Sequence, residues 1–125
     1  MLTILPPIAY ALCVMFILWA AVTKDVNRLS WIVPSILGIA FFGVTMQVLL
    51  AEGLMQFWFN HVANLAGNQV WFDLLIAVSI SFYLIVPRAR AVGMKPLPWG
   101  IAVFATASVA LLPMVARLLW LEKRR

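Results

Sequence analysis

Apolar residues gather into four runs, at about 4–23, 31–51, 70–86 and 97–118, with short polar stretches between them. Each run is about 20 residues long. At ~1.5 Å of rise per residue that matches a hydrocarbon core of roughly 30 Å. Isolated strands cannot span lipid, so the pattern predicts an all-α polytopic membrane protein with four transmembrane helices in a single bundle. Pro6, Pro7 and Pro34 fall in first turns of their runs, where a missing N–H costs little. Pro87 closes the third run and Pro113 interrupts the fourth. Trp19, Trp31, Trp71, Trp99 and Trp120 stand near run ends, where indole prefers to lie.

The long connection between the second and third runs has a pattern of its own. On a helical wheel Gln56, Asn60, His61, Asn64 and Asn68 fall on one arc. Leu54, Met55, Trp58, Phe59, Val62, Leu65 and Ala66 fall on the opposite arc, with Phe57 the exception. That division predicts a short amphipathic helix within about 54–66, lying in the membrane interface with Asn60 and Asn64 toward water.

Composition sharpens this picture. The 125 residues are 66% hydrophobic and 10% charged, too little charge to cover a soluble domain. The net charge of +5 comes from clusters beside the runs, which set topology and meet anionic lipid. No basic stripe suited to nucleic acid exists. With four straight spans, the Lys24–Arg28 and Arg88–Lys95 turns share one side and Lys123, Arg124 and Arg125 take the other. The charge bias then leans weakly toward both termini outside the cytoplasm. Met1-Leu2-Thr3 lacks the basic start of a cleavable signal, so the first run reads as a retained helix in a bacterial cytoplasmic membrane. Cys13 is the only cysteine and lies inside that run, which reads as packing.

The residues able to carry chemistry are few. In four alternating spans Glu52, Asp73 and Arg117 meet at one membrane face. Charges at such depth cost up to ~3 kcal/mol unless paired or snorkelling. Asp73, Ala77 and Ser81 form one small-residue stripe and Ala102, Thr106 and Ala110 another. The expectation is that runs three and four pack along these stripes and that Asp73 pairs with Arg117. Glu52, Asn60, His61, Asp73 and Arg117 are the candidate binding cluster, read either as a structural staple or as a polar pocket for a lipid head group, quinone or isoprenoid. No cofactor or metal is expected. His61 is the single histidine, and no pair exists to hold haem iron or complete a zinc site. No nucleophile triad or phosphate-binding glycine loop occurs.

Several motifs carry a family resemblance. They are Leu50-Ala51-Glu52-Gly53-Leu54, Phe59-Asn60, Ala63-Asn64, Phe72-Asp73-Leu74-Leu75, Arg90-Ala91-Val92-Gly93-Met94, Trp99, and Leu112-Pro113 followed by Arg117. In their order and spacing, residues 37–121 resemble an uncharacterised bacterial membrane family, domain of unknown function 2834. That family carries an acidic residue just before its Arg-rich turn, where Arg88 stands here. The resemblance implies a compact helical membrane fold and no particular activity.

Three functional readings follow. The first is a non-enzymatic subunit or assembly factor of a larger membrane complex, with membrane lipids and other integral membrane subunits or a second copy as partners. The second is a membrane-embedded protein or enzyme that binds lipid, isoprenoid or quinone. The third is a small dimeric transporter, against which stands the lack of an acidic residue near a span midpoint.

Overall fold

The computed structural model describes residues 3–22, 24 and 31–125. The polar turn at 25–30, with its share of the charge bias, lies outside the described residues. What is described is all-helical, with no strand. The elements are α1 (Leu5–Val22), α2 (Ile32–Glu52), α3 (Met55–Val62), α4 (Leu65–Ala91), α5 (Pro96–Thr106) and α6 (Ser108–Arg124). By length and composition α1, α2 and α4 can each cross a membrane.

The amphipathic helix expected in the long connection is α3. A glycine separates it from α2, Gly53 at φ 83°, whose N–H donates to the Leu49 carbonyl. Asn64 then starts α4 as its N-cap. Its extended backbone breaks the helix, and its Oδ1 accepts from the Gly67 N–H at 2.7 Å.

α4 outruns the expected third run at both ends. The cap extends it back to Leu65, and Pro87 does not close it. Proline removes one bond, the one its N–H would give to Tyr83, and four more residues of helix follow. The stop comes at Gly93, φ 81°. The Gly93 N–H donates to Arg90 at 3.1 Å and the Met94 N–H to Ala89 at 2.9 Å. These two bonds form a Schellman motif, which needs a left-handed residue that glycine adopts without strain. Its accompanying apolar contact is also present, since Ala89 and Met94 share the buried core.

The fourth run departs most from expectation. It is not one helix. Ala107 sits at φ 51°, ψ −119°, and splits it into α5 and α6. The Ala107 N–H donates to Val103, while its carbonyl accepts from Ala110 and Leu111. α6 then folds back along α5, so that Met114 and Leu118 of α6 meet Val103 of α5 and Ala89 and Met94 from the end of α4. Among the described residues three helices are therefore long and apolar enough to cross a membrane, and residues 97–118 do not form a fourth continuous one. Two local features favour the break. Thr106 Oγ1 donates back to the Ala102 carbonyl at 2.8 Å, a bond that bends helices. Thr106-Ala107-Ser108 also offers no large side chain to hold neighbouring turns together.

This hairpin is where the core sits. α6 packs on α2 as well as on α4 and α5. Pro34 and Gly38 are the buried residues of α2, and a Cβ at Gly38 would lie 3.4 Å from Leu112 Cβ, an ordinary contact. Nothing in α1 or α3 is buried, and α4 buries only Ala89.

The reversal makes a stability prediction. A non-glycine residue at positive φ carries about 1–2 kcal/mol of strain. Glycine in an unbroken helix instead costs about 1 kcal/mol relative to alanine. Ala107→Gly is therefore expected to leave the melting temperature in detergent unchanged or raised. A clear fall would mean that residue 107 lies inside a continuous helix.

Candidate functional site

The structure divides the expected polar cluster between two places. Glu52 ends α2, Asn60 and His61 lie on α3, and Asp73 is exposed on the N-terminal half of α4. Asn60 and His61 pack on the start of α4. Here Gln56 Nε2 donates to Asn60 Oδ1 at 3.1 Å, and Asn68 Nδ2 donates to the His61 carbonyl at 2.8 Å. The His61 ring packs on Trp71, centroids 4.6 Å apart. A Cβ on Gly67 would run into the Asn60 backbone carbonyl, so only glycine lets α3 and α4 approach this closely.

Arg117 is elsewhere. It lines a 390 Å³ cavity with Gly93, Met94, Lys95, Pro98 and Trp99, at the far end of α4. The 18 residues from Asp73 to Ala91 put roughly 27 Å of helix between the two ends. The expected Asp73–Arg117 pair does not form, nor does one from Glu52. The reason is the reversal at Ala107, which carries α6 back to the side where α5 began. The expected packing of two small-residue stripes fails for the same reason. Ala102 and Thr106 belong to α5 and Ala110 to α6, while α4 meets the hairpin through Val78, Phe82 and Ile85. Ser35, Thr45, Ser81 and Thr106 each donate to a carbonyl four residues back in the chain, so none of these bonds ties two helices together.

An ion pair joins Arg88, near the end of α4, to Glu122, near the end of α6. Its geometry is bidentate: Nε to Oε1 at 2.9 Å and Nη2 to Oε2 at 2.6 Å. This is the fork-to-fork arrangement that arginine and carboxylate favour. It closes the open end of the hairpin against α4. Sequence reading missed it, although Glu122 is the lone acid among the basic residues after Leu121.

Around this pair lies a strongly basic end of the molecule. Arg90, Lys95 and Arg117 are exposed there, and the Arg124 guanidinium stacks 3.8 Å over the Trp120 ring. On the outer side of α5 a second, 440 Å³ groove runs between α4 and α5. Phe82, Val86, Leu97 and Phe104 are among its walls, and Arg90 is its charged residue. Among the described residues no three His, Cys, Asp or Glu come together to hold a metal.

The chain matches no protein-family model, no curated protein and no solved structure at the level that marks relatedness.

The geometry sets two mutant cycles in opposition. Half of the Arg88 side chain is exposed and about a quarter of Glu122, so their coupling should be about 1 kcal/mol. Arg88→Gln and Glu122→Gln are expected to be non-additive by that amount in detergent unfolding. Asp73→Asn and Arg117→Gln, far apart and not paired with each other, are expected to add. Coupling in the second cycle and additivity in the first would contradict this arrangement.

Proposed function

We propose that this chain is a non-enzymatic subunit or assembly factor of a larger integral membrane complex. In this reading α1, α2 and α4 cross the bilayer, and α5 and α6 form a re-entrant hairpin that enters from one face and returns to it. The amphipathic α3 lies at the opposite face.

One observation carries the reading. The hairpin tip ends at about half depth, because the 11 residues of α5 reach only about 16 Å into a core of roughly 30 Å. There the helix ladder stops. Ala107 is the N-cap of α6 and has no side chain able to cap it. A broken ladder leaves terminal carbonyls and amides without helical partners. Such backbone is tolerated at membrane depth only where protein covers it or a water-filled cavity reaches it. Ala105 and Thr106 at the tip are exposed, and beyond the tip neither α2 nor α4 buries a residue. The space around the tip suits helices of another chain, which could cover both the break and the flanking apolar faces.

Charge supports an orientation. Arg88, Arg90, Lys95, Arg117, Lys123, Arg124 and Arg125 all belong to the ends of α4 and α6 and the turn before α5. Lys24 belongs to the connection before α2, which alternating crossings bring to the same side. All eight basic residues among the described ones then share one face, leaving Glu52 and Asp73 toward the other. The positive-inside rule makes the basic face cytoplasmic. This replaces the weak lean toward both termini outside, which rested on a straight fourth span. A bacterial cytoplasmic membrane fits the family resemblance.

Extraction in mild detergent tests the reading. The expected result is a stable complex larger than the chain, with an integral membrane protein of fixed stoichiometry in it. Ala107→Cys, with Cys13 replaced by Ala, should be shielded from a water-soluble thiol reagent in that complex. A lone chain whose residue 107 reacts freely would contradict the reading and favour a water-filled ligand site.

A further inference from the structure

We propose that the groove between α4 and α5 is a seat for one anionic glycerophospholipid of the leaflet at the basic face, with an acyl chain along the groove and its phosphate on Arg90. The inference does not depend on the partner complex proposed above. It concerns a different surface of the hairpin.

The shape of the groove follows from the turn between the helices. Gly93 ends α4, and Pro96 starts α5 at its first position, so the two helices leave the same point and diverge. Gly100 keeps them close further in, since a Cβ there would lie 3.0 Å from Phe82 Cζ. From Leu97 to Phe104 the groove extends over seven residues of helix, about 10 Å in depth. Its walls are aromatic and aliphatic throughout, apart from Arg90.

The charge pattern selects the occupant. Arg88, two residues before, is engaged by Glu122. Arg90 makes no ion pair or side-chain hydrogen bond within the described residues, and Lys95 stands at the same end, immediately before Pro96. Among the described residues Glu122 is the only acidic group at this end, and its carboxylate is taken. A molecule that fits must be apolar along its length and anionic at one end, the end at the membrane interface. A phospholipid phosphate meets that requirement, and the guanidinium fork suits phosphate oxygens. A quinone or isoprenoid alcohol brings no charge to Arg90. Polybasic membrane-flanking residues attract anionic lipid diffusely, whereas a groove with an arginine at its mouth would hold one molecule in register.

Reconstitution tests this. The full chain is placed in vesicles of equal phosphatidylglycerol and phosphatidylcholine and extracted gently. Retained lipid is then counted by native mass spectrometry. The expected result is one phosphatidylglycerol retained in preference to phosphatidylcholine. Arg90→Gln should lower that preference roughly tenfold, the loss of one charge-assisted contact, while Arg125→Gln leaves it unchanged. Ile101→Trp, which fills the groove and keeps the charge, should abolish retention of both lipids. Equal retention of the two lipids by the native chain would overturn the proposal. So would an equal effect of Arg90→Gln and Arg125→Gln, which would mean diffuse attraction, or an Ile101→Trp chain that keeps its lipid.

Discussion

A residue at φ 51°, ψ −119° cannot pass an α-helix through itself, and the rest of this molecule depends on where Ala107 puts the chain afterwards. Because α6 returns along α5, Met114 and Leu118 reach Ala89 and Met94. The same return brings Glu122 to Arg88 and Arg117 to Lys95 and Trp99. A straight span would separate each of these groups by most of the membrane thickness. The packed part of the molecule is accordingly the half around the hairpin. In lipid this core gains little from apolar transfer, since lipid is as apolar as leucine. Close packing of Met114, Leu118 and the small Ala89 has to hold it.

Much of the fold was legible because length and periodicity are local signals. α1 and α2 lie within a few residues of their apolar runs. α3 was legible from the wheel, because its polar arc of Gln56, Asn60 and His61 recurs at helical spacing. Helix ends set by single side chains or by chain geometry were less accessible. Pro87 looked like a stop, but one missing bond late in a long helix does not end it. The Schellman motif at Gly93 does, and it depends on Met94 finding Ala89 in the folded protein.

Direction was not legible at all. Hydropathy over 97–118 is the same whether the chain runs straight or doubles back, and the turn residues Thr106, Ala107 and Ser108 are also good residues for a helix interface. Reading Thr106 with Ala102 and Ala110 as the packing stripe of one straight span put Arg117 beside Asp73. The candidate cluster inherited that error in one member only. Glu52, Asn60, His61 and Asp73 lie on α2, α3 and the first half of α4, whereas Arg117 joins the basic end. The sign of the charge bias between the two faces depends in turn on which one receives Lys123, Arg124 and Arg125.

Single cysteines at the two ends of the hairpin test the reversal most directly. With Cys13 replaced by Ala, Lys95→Cys, Arg125→Cys and Asn60→Cys can each be exposed to a membrane-impermeant thiol reagent in vesicles of known orientation. The hairpin predicts that positions 95 and 125 react from one side and position 60 from the other. Reaction of position 125 from the same side as position 60 would mean that the fourth run crosses the membrane, and the hairpin, its ion pair and the single basic face would fall together.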